Sequence, residues 1–134
     1  MPEAKELTLL LKKKNKIGLV FGESAYDFCL QHDADGVLID LSQSEHCAKE
    51  VNFARKQIGR KILGVVSRNR RHESMIISEC EPDFVVFKVW KQGMDKTKEL
   101  VAWYTEMFLI QSAILPVEDV NVLDFDCDII IVKA

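Results

Sequence analysis

Short apolar runs rich in β-branched residues recur along the chain, at 17–21, 37–41, 61–66, 84–90, 112–115 and 129–132. Longer amphipathic stretches separate most of them. This rhythm constrains the fold more than any single residue does. Strands apolar on both sides are buried on both sides. Intervening helices then make a parallel sheet with right-handed crossovers the economical solution.

The stretches between the runs read as helices. Residues 3–14 place Leu7, Leu10 and Leu11 on one side and end in Lys12, Lys13, Lys14 and Lys16, cations that suit a helix C-terminus. Residues 23–31 space Ala25, Phe28 and Cys29 for burial. A helix capped by Ser42 or Ser44 and running to about residue 57 would bury Cys47, Val51, Ala54 and Ile58, and Gly59 stops it. Another ends near Cys80, before Pro82-Asp83. The stretch 95–109 turns Leu100, Trp103, Tyr104, Met107 and Phe108 inward. A short helix over 116–123 is expected, with Pro116 in its first turn.

The chain has 134 residues, so a complete eight-stranded (β/α) barrel of roughly 200–250 residues does not fit. The expected fold class is α/β: parallel βα repeats with about six strands, as a partial barrel derived from the TIM barrel or an open flavodoxin-like sheet. One domain spans 1–134, without a linker or low-complexity tract. A formal net charge of −3 argues against a nucleic-acid partner, which calls for a basic face. No apolar run approaches a membrane span and the first residues lack a signal-peptide pattern, so a cytoplasmic location is expected. Cys29, Cys47, Cys80 and Cys127 form no CxxC pair and no zinc spacing, and they read as reduced thiols, mostly buried. Trp90 and Trp103 read as core or edge cover, and His32 and His46 as surface residues.

In such folds, chemistry sits beyond the carboxyl ends of the strands. Read there, Glu23, Asp40, Ser67 and Lys88 would converge on one rim. Arg68, Arg70 and Arg71 open the following helix, where guanidinium groups suit a phosphate. The plainer reading is a solvated, charged loop. Asp40, Ser67, Arg71 and Lys88 are the candidate ligand-binding residues. No catalytic residue is assigned, since no Ser-His-Asp or Cys-His set stands out. No metal site is expected. The order of Asp40, Ser67 and Lys88 at successive strand ends also resembles a response-regulator receiver. The receiver's acidic pair at its first strand is missing here.

Longer segments resemble the thiamine phosphate synthase/TenI-like family, in the form typical of its alphaproteobacterial branch. Ala34-Asp35-Gly36-Val37 is similar to the family's "GADGVH" strand. Arg71-His72-Glu73-Ser74-Met75, then Glu79 and residues 82–87, resemble "SRHDAM…EAGADYVMFG". Residues 99–108 resemble "VAWWAELF", and Glu118-Asp119-Val120 through Cys127-Asp128-Ile129 resemble "DEV…GADFVA". The resemblance covers 17–134. It implies a (β/α) barrel related to thiamine biosynthesis. Such a synthase joins a pyrimidine pyrophosphate to a thiazole phosphate, with Mg²⁺ on the pyrophosphate.

The departures from that pattern fall on the phosphate contacts. The family's first two strands have no counterpart, and they carry the Arg and Lys that hold pyrophosphate. Its Asn-Asp pair falls near Glu23-Ser24, and its metal aspartate falls near Gln43, close to Asp40. Lys88 replaces the glycine after the "YVMF" strand, and Leu115-Pro116-Val117 replaces phosphate-binding glycines. The resemblance therefore implies a truncated, degenerate enzyme with little or no transferase activity. It needs Mg²⁺ only if synthase activity survives, and it retains at most a phosphorylated small-molecule ligand. The alternative is a non-catalytic interaction module. Six strands cannot close as eight do, and the leucines at 7, 9, 10 and 11 are too apolar for a free helix. An edge-paired homodimer is the expected assembly.

Overall fold

The computed structural model describes residues 6, 9, 10, 12–14, 17–22 and 24–131. The strands are β1 (Leu19–Phe21), β2 (Gly36–Asp40), β3 (Ile62–Ser67), β4 (Phe84–Val89), β5 (Gln111–Pro116) and β6 (Ile129–Ile130). The helices between them are α1 (Ala25–His32), α2 (Cys47–Ile58), α3 (Arg71–Glu79) and α4 (Met94–Met107). All neighbouring strands pair in parallel, in the order β1-β2-β3-β4-β5-β6. A doubly wound sheet reverses its order at a switch point. This one never reverses. The six strands curl into a half-barrel, the first of the two expected forms.

Alternation along the strands divides the buried residues between two faces. Val37, Leu63, Val65, Val85, Phe87, Val89 and Ile114 point outward into one core with the inner sides of the four helices. Here α2 buries Cys47, Val51, Ala54 and Ile58 as its spacing requires. Tyr104 of α4 meets Phe87 edge-on and stacks on Phe108. Val66, Phe84, Val86 and Ala113 point to the concave side with Leu19, Leu38, Ile62, Leu115, Ile129 and Ile131. Among the described residues, no helix contributes to that second cluster.

Two glycines permit the close approach of β2, β3 and β4. A methyl group on Gly36 would lie 2.0 Å from the Ile62 carbonyl oxygen, and one on Gly64 would lie 2.3 Å from the Phe84 ring. The backbone of β3 obstructs the first and a side chain obstructs the second.

The strands are also clipped in pairs at their N-terminal ends. Asp35, Asp83 and Asp128 immediately precede β2, β4 and β6. Their N–H groups donate to the carbonyls of Gly18, Leu63 and Ser112 at 3.0, 2.8 and 3.1 Å. In return, their Oδ2 atoms accept the N–H groups of those same residues at 2.7, 2.7 and 2.9 Å. Each aspartate thus satisfies a backbone donor and a backbone acceptor where the ladder begins. Lys12 and Lys61 both pair with Asp33 at the C-terminus of α1, at 2.8 and 2.7 Å.

Four local expectations need correction or fall outside the description. The helix α2 begins at Cys47 with His46, not Ser42 or Ser44, at its N-cap. No helix forms over 116–123. Pro116 closes β5, the Val117 N–H donates to Val89, and Asn121 Oδ1 takes the Leu123 N–H in an Asx turn. Met107 is exposed at the last turn of α4 rather than inward. Leu7, Leu11, Glu23, Val132 and Lys133 lie outside the described residues.

Candidate functional site

The rim beyond the carboxyl ends of the strands carries the polar groups. Asp40 ends β2 on the concave face, in line with Leu38. Lys88 lies on the same face of β4, one inward position beyond Val86. Asp40 is level with Val66, and Val66 with Val86, so a long side chain from Lys88 can reach back across β3. It does: Lys88 Nζ donates to Asp40 Oδ2 at 2.6 Å, and the two side chains are 23% and 26% exposed.

The other Asp40 oxygen is occupied as well. Oδ1 accepts the Ser42 N–H at 2.9 Å and the Ser42 hydroxyl at 2.6 Å. Burial pushes the Asp40 carboxyl up, but the hydrogen bonds from Lys88 and Ser42 outweigh it and hold the group below its ordinary value. Arg68 Nε donates to the Ser42 carbonyl at 2.9 Å, tying the loop after β2 to the loop after β3. Asn69 donates to the Lys88 carbonyl at 2.9 Å, while its own Oδ1 is buried without a partner among the described residues.

The other two candidate residues do not join this pair. Ser67 follows Val66 and so faces the helix layer. It is 1% exposed, and its hydroxyl donates to the Arg68 carbonyl. Arg71 opens α3 with its guanidinium 4.8 Å from the centre of the Trp103 ring on α4, a cation–π contact. Ser42, Arg68 and Asn69 are the rim residues that complete the network instead. Asp40-x-Ser42 is a local capping pattern that signals the first of them. The Arg68 and Asn69 contacts depend on neighbouring strands, so no local pattern reveals them.

These residues do not fit a magnesium ion. Asp40 has both oxygens taken, and Mg²⁺ needs free oxygen ligands in octahedral array. Among the described residues, no group of three or more His, Cys, Asp or Glu is placed to hold a metal.

Below the rim, the concave face is open. A cavity of about 690 Å³ is lined by Leu19, Phe21, Leu38, Phe84, Ile129 and Ile131, among others. Phe21 is 61% exposed there. Ile17, Leu9 and Leu10 are also exposed, and all three precede β1. No described helix is long and apolar enough to cross a membrane.

Fold and rim together define a curled, partial parallel α/β barrel with an internally neutralised mouth. Comparison with family models, curated proteins and solved structures finds no match.

Proposed function

We propose that the chain is a thiamine phosphate synthase/TenI-like protein that has lost the synthase reaction and acts by binding, as a cytoplasmic, self-associating module. One observation carries this reading: the Asp40–Lys88 pair lies across the inner rim. In the resembled family that position is a glycine, with room for substrate. Here an ammonium group and a carboxylate fill and neutralise it. Asp40, the carboxylate closest to the family's metal aspartate, has no free oxygen.

Self-association follows from the other end of the same physics. Closing a barrel removes its edges, and a half-barrel keeps two, at β1 and β6. The exposed Leu9, Leu10, Ile17 and Phe21 add apolar surface beside the first edge in sequence. A second copy set against β1 and the concave face covers both liabilities. A receiver-like role is less well supported, because a receiver sheet is doubly wound and this order is sequential. Binding of a phosphorylated ligand at the rim is less well supported: Lys88 Nζ is paired with Asp40, the Asn69 amide N–H is spent on the Lys88 carbonyl, and the unpartnered Asn69 Oδ1 calls for a donor rather than a phosphate oxygen.

Two measurements test the proposal. Pyrimidine pyrophosphate, thiazole phosphate and Mg²⁺ incubated with the protein should yield no thiamine phosphate. Sedimentation at tens of micromolar should show a dimer that Phe21→Lys converts to monomer. Magnesium-dependent product would overturn the first half of the reading, and wild-type monomer at every concentration the second.

A further inference from the structure

A second cleft lies on the helix side of the rim, between the starts of α2 and α3. It has a volume of about 510 Å³, and Glu45, His46, Lys49, Arg68, His72 and Glu73 contribute to its walls. The bonding of two of these residues is incomplete in opposite senses.

Arg68 is anchored through Nε to the Ser42 carbonyl. Its Nη1 is 3.9 Å from Glu73 Oε1, too long for a hydrogen bond, so that edge of the guanidinium is left with donors to spare. Glu73 is the converse. Its side chain is 16% exposed, Arg70 also stands 3.9 Å from Oε1, and Oε2 is buried with no partner among the described residues. A buried carboxylate oxygen without a donor is uncommon and calls for one. One cleft therefore offers unspent cationic donors and, at Glu73 Oε1, a carboxylate oxygen that no donor among the described residues approaches within hydrogen-bond distance.

We infer that this cleft binds a small phosphate ester that also carries free hydroxyl groups. The phosphate would accept from the Arg68 guanidinium, with His46, Lys49 and His72 as further donors. A hydroxyl would donate to Glu73 Oε1, the oxygen that Arg68 and Arg70 leave at 3.9 Å. Cleft volume matches a ligand the size of a sugar phosphate, and the place, beyond the ends of β2 and β3, is where α/β sheets take ligands. The site goes beyond the proposed function. It uses neither Asp40 nor Lys88 and requires no second copy.

Calorimetric titration with ribose 5-phosphate, ribose and inorganic phosphate tests the inference. Ribose 5-phosphate should bind saturably, and more tightly than either of the others. Arg68→Gln and the exposed His72→Ala should each weaken it, the first about tenfold or more, as expected for a lost charged hydrogen bond. Glu73→Leu, which removes both acceptor oxygens, should abolish the preference over inorganic phosphate, and Lys88→Ala should leave binding unchanged. The inference fails if millimolar ribose 5-phosphate gives no saturable heat, or if inorganic phosphate binds equally well. It also fails if folded Arg68→Gln and His72→Ala bind like wild type. Loss of binding in Lys88→Ala alone would move the site to the inner rim and overturn it too.

Discussion

Replacing Asp40 by Asn is the sharpest perturbation of the rim. The amide oxygen can still accept from Ser42, so the change removes chiefly the ionised partner of Lys88, 2.6 Å away. Both side chains are about three-quarters buried, between the exposed and fully buried regimes, so the net loss should be about 1–2 kcal/mol at pH 7. For a chain of this size, that is a fall in Tm of roughly 3–8 °C. The pH dependence has a definite sign. The folded Asp40 carboxyl titrates below its ordinary value, so the stability it contributes is complete above about pH 4 and is lost as pH falls through the folded value. The gap between wild type and Asp40→Asn should therefore be full at neutral pH and shrink in acid. Lys88, released, becomes a free phosphate donor, and thiazole phosphate should bind the variant about tenfold more tightly than wild type. Urea unfolding at neutral and acid pH reads the first effect, and titration calorimetry the second. Equal stability and equal pH profiles would mean that the pair does not form in solution. Lost stability without any gain in phosphate binding would refute the idea that pairing of Lys88 is what closes the rim.

Three further outcomes follow from the strand ends and the close approaches between strands. Asp83→Ala leaves the buried Leu63 N–H without an acceptor and breaks the pair with Arg55 at 3.2 Å. It should cost about 2–3 kcal/mol in urea unfolding, whereas Asp83→Asn, which keeps an acceptor, should cost less than half as much; equal costs would refute the clip. Gly36→Ala drives a methyl group into the β3 backbone and should abolish cooperative unfolding, while Gly64→Ala meets only side chains, the Phe84 ring and Leu38, beside the open cavity. The second should cost no more than the roughly 1–3 kcal/mol of ordinary overpacking, and reversal of that order in thermal melts would contradict the sheet geometry. Lys12 and Lys61 hold Asp33 at a pKa of about 2, so its carboxyl carbon should titrate there by NMR. Its share of stability should be complete above about pH 4 and fade between pH 4 and 2; a midpoint near 4 would dissolve the cluster.

The rhythm of apolar runs made the six strands and four of the helices legible, because periodicity reports burial directly. Strand order was not legible, since a sequential and a doubly wound sheet demand the same alternation along each strand. Pro116 illustrates a local ambiguity: its fixed φ suits a first helical turn and a strand end equally, and its pairing with Val89 decides for the strand. At the rim, Asp40 and Lys88 were identifiable as strand-end residues, and their parity put them together. Ser67 also ends its strand, but one residue of register turns it to the helix layer. Arg71 is spent on Trp103, a contact across two helices that no spacing encodes. The clips were hidden for another reason. Ala34-Asp35-Gly36, Pro82-Asp83-Phe84 and Cys127-Asp128-Ile129 share a single residue, and its role emerges only when the preceding strand is alongside.

The positions of these groups bear on how such a chain could lose a reaction and keep a fold. The three aspartate clips and the Lys12–Asp33–Lys61 cluster all lie at the N-terminal ends of the strands. The Asp40–Lys88 pair lies at the other end, with the cavity and the apolar concave layer between them. In barrel folds the N-terminal face chiefly serves stability and the C-terminal face chemistry. With the two sets this far separated along the strands, substitutions at one end have few shared partners at the other, and their energies should add. On the proposed reading, a glycine at the rim could then give way to Lys88 without loosening a clip. The fold is a half-barrel with an ion pair across its mouth. On the proposed reading, its remaining uses are those of its surfaces: the concave face and β1 edge for a second copy, and the cleft beside Arg68 for a phosphate.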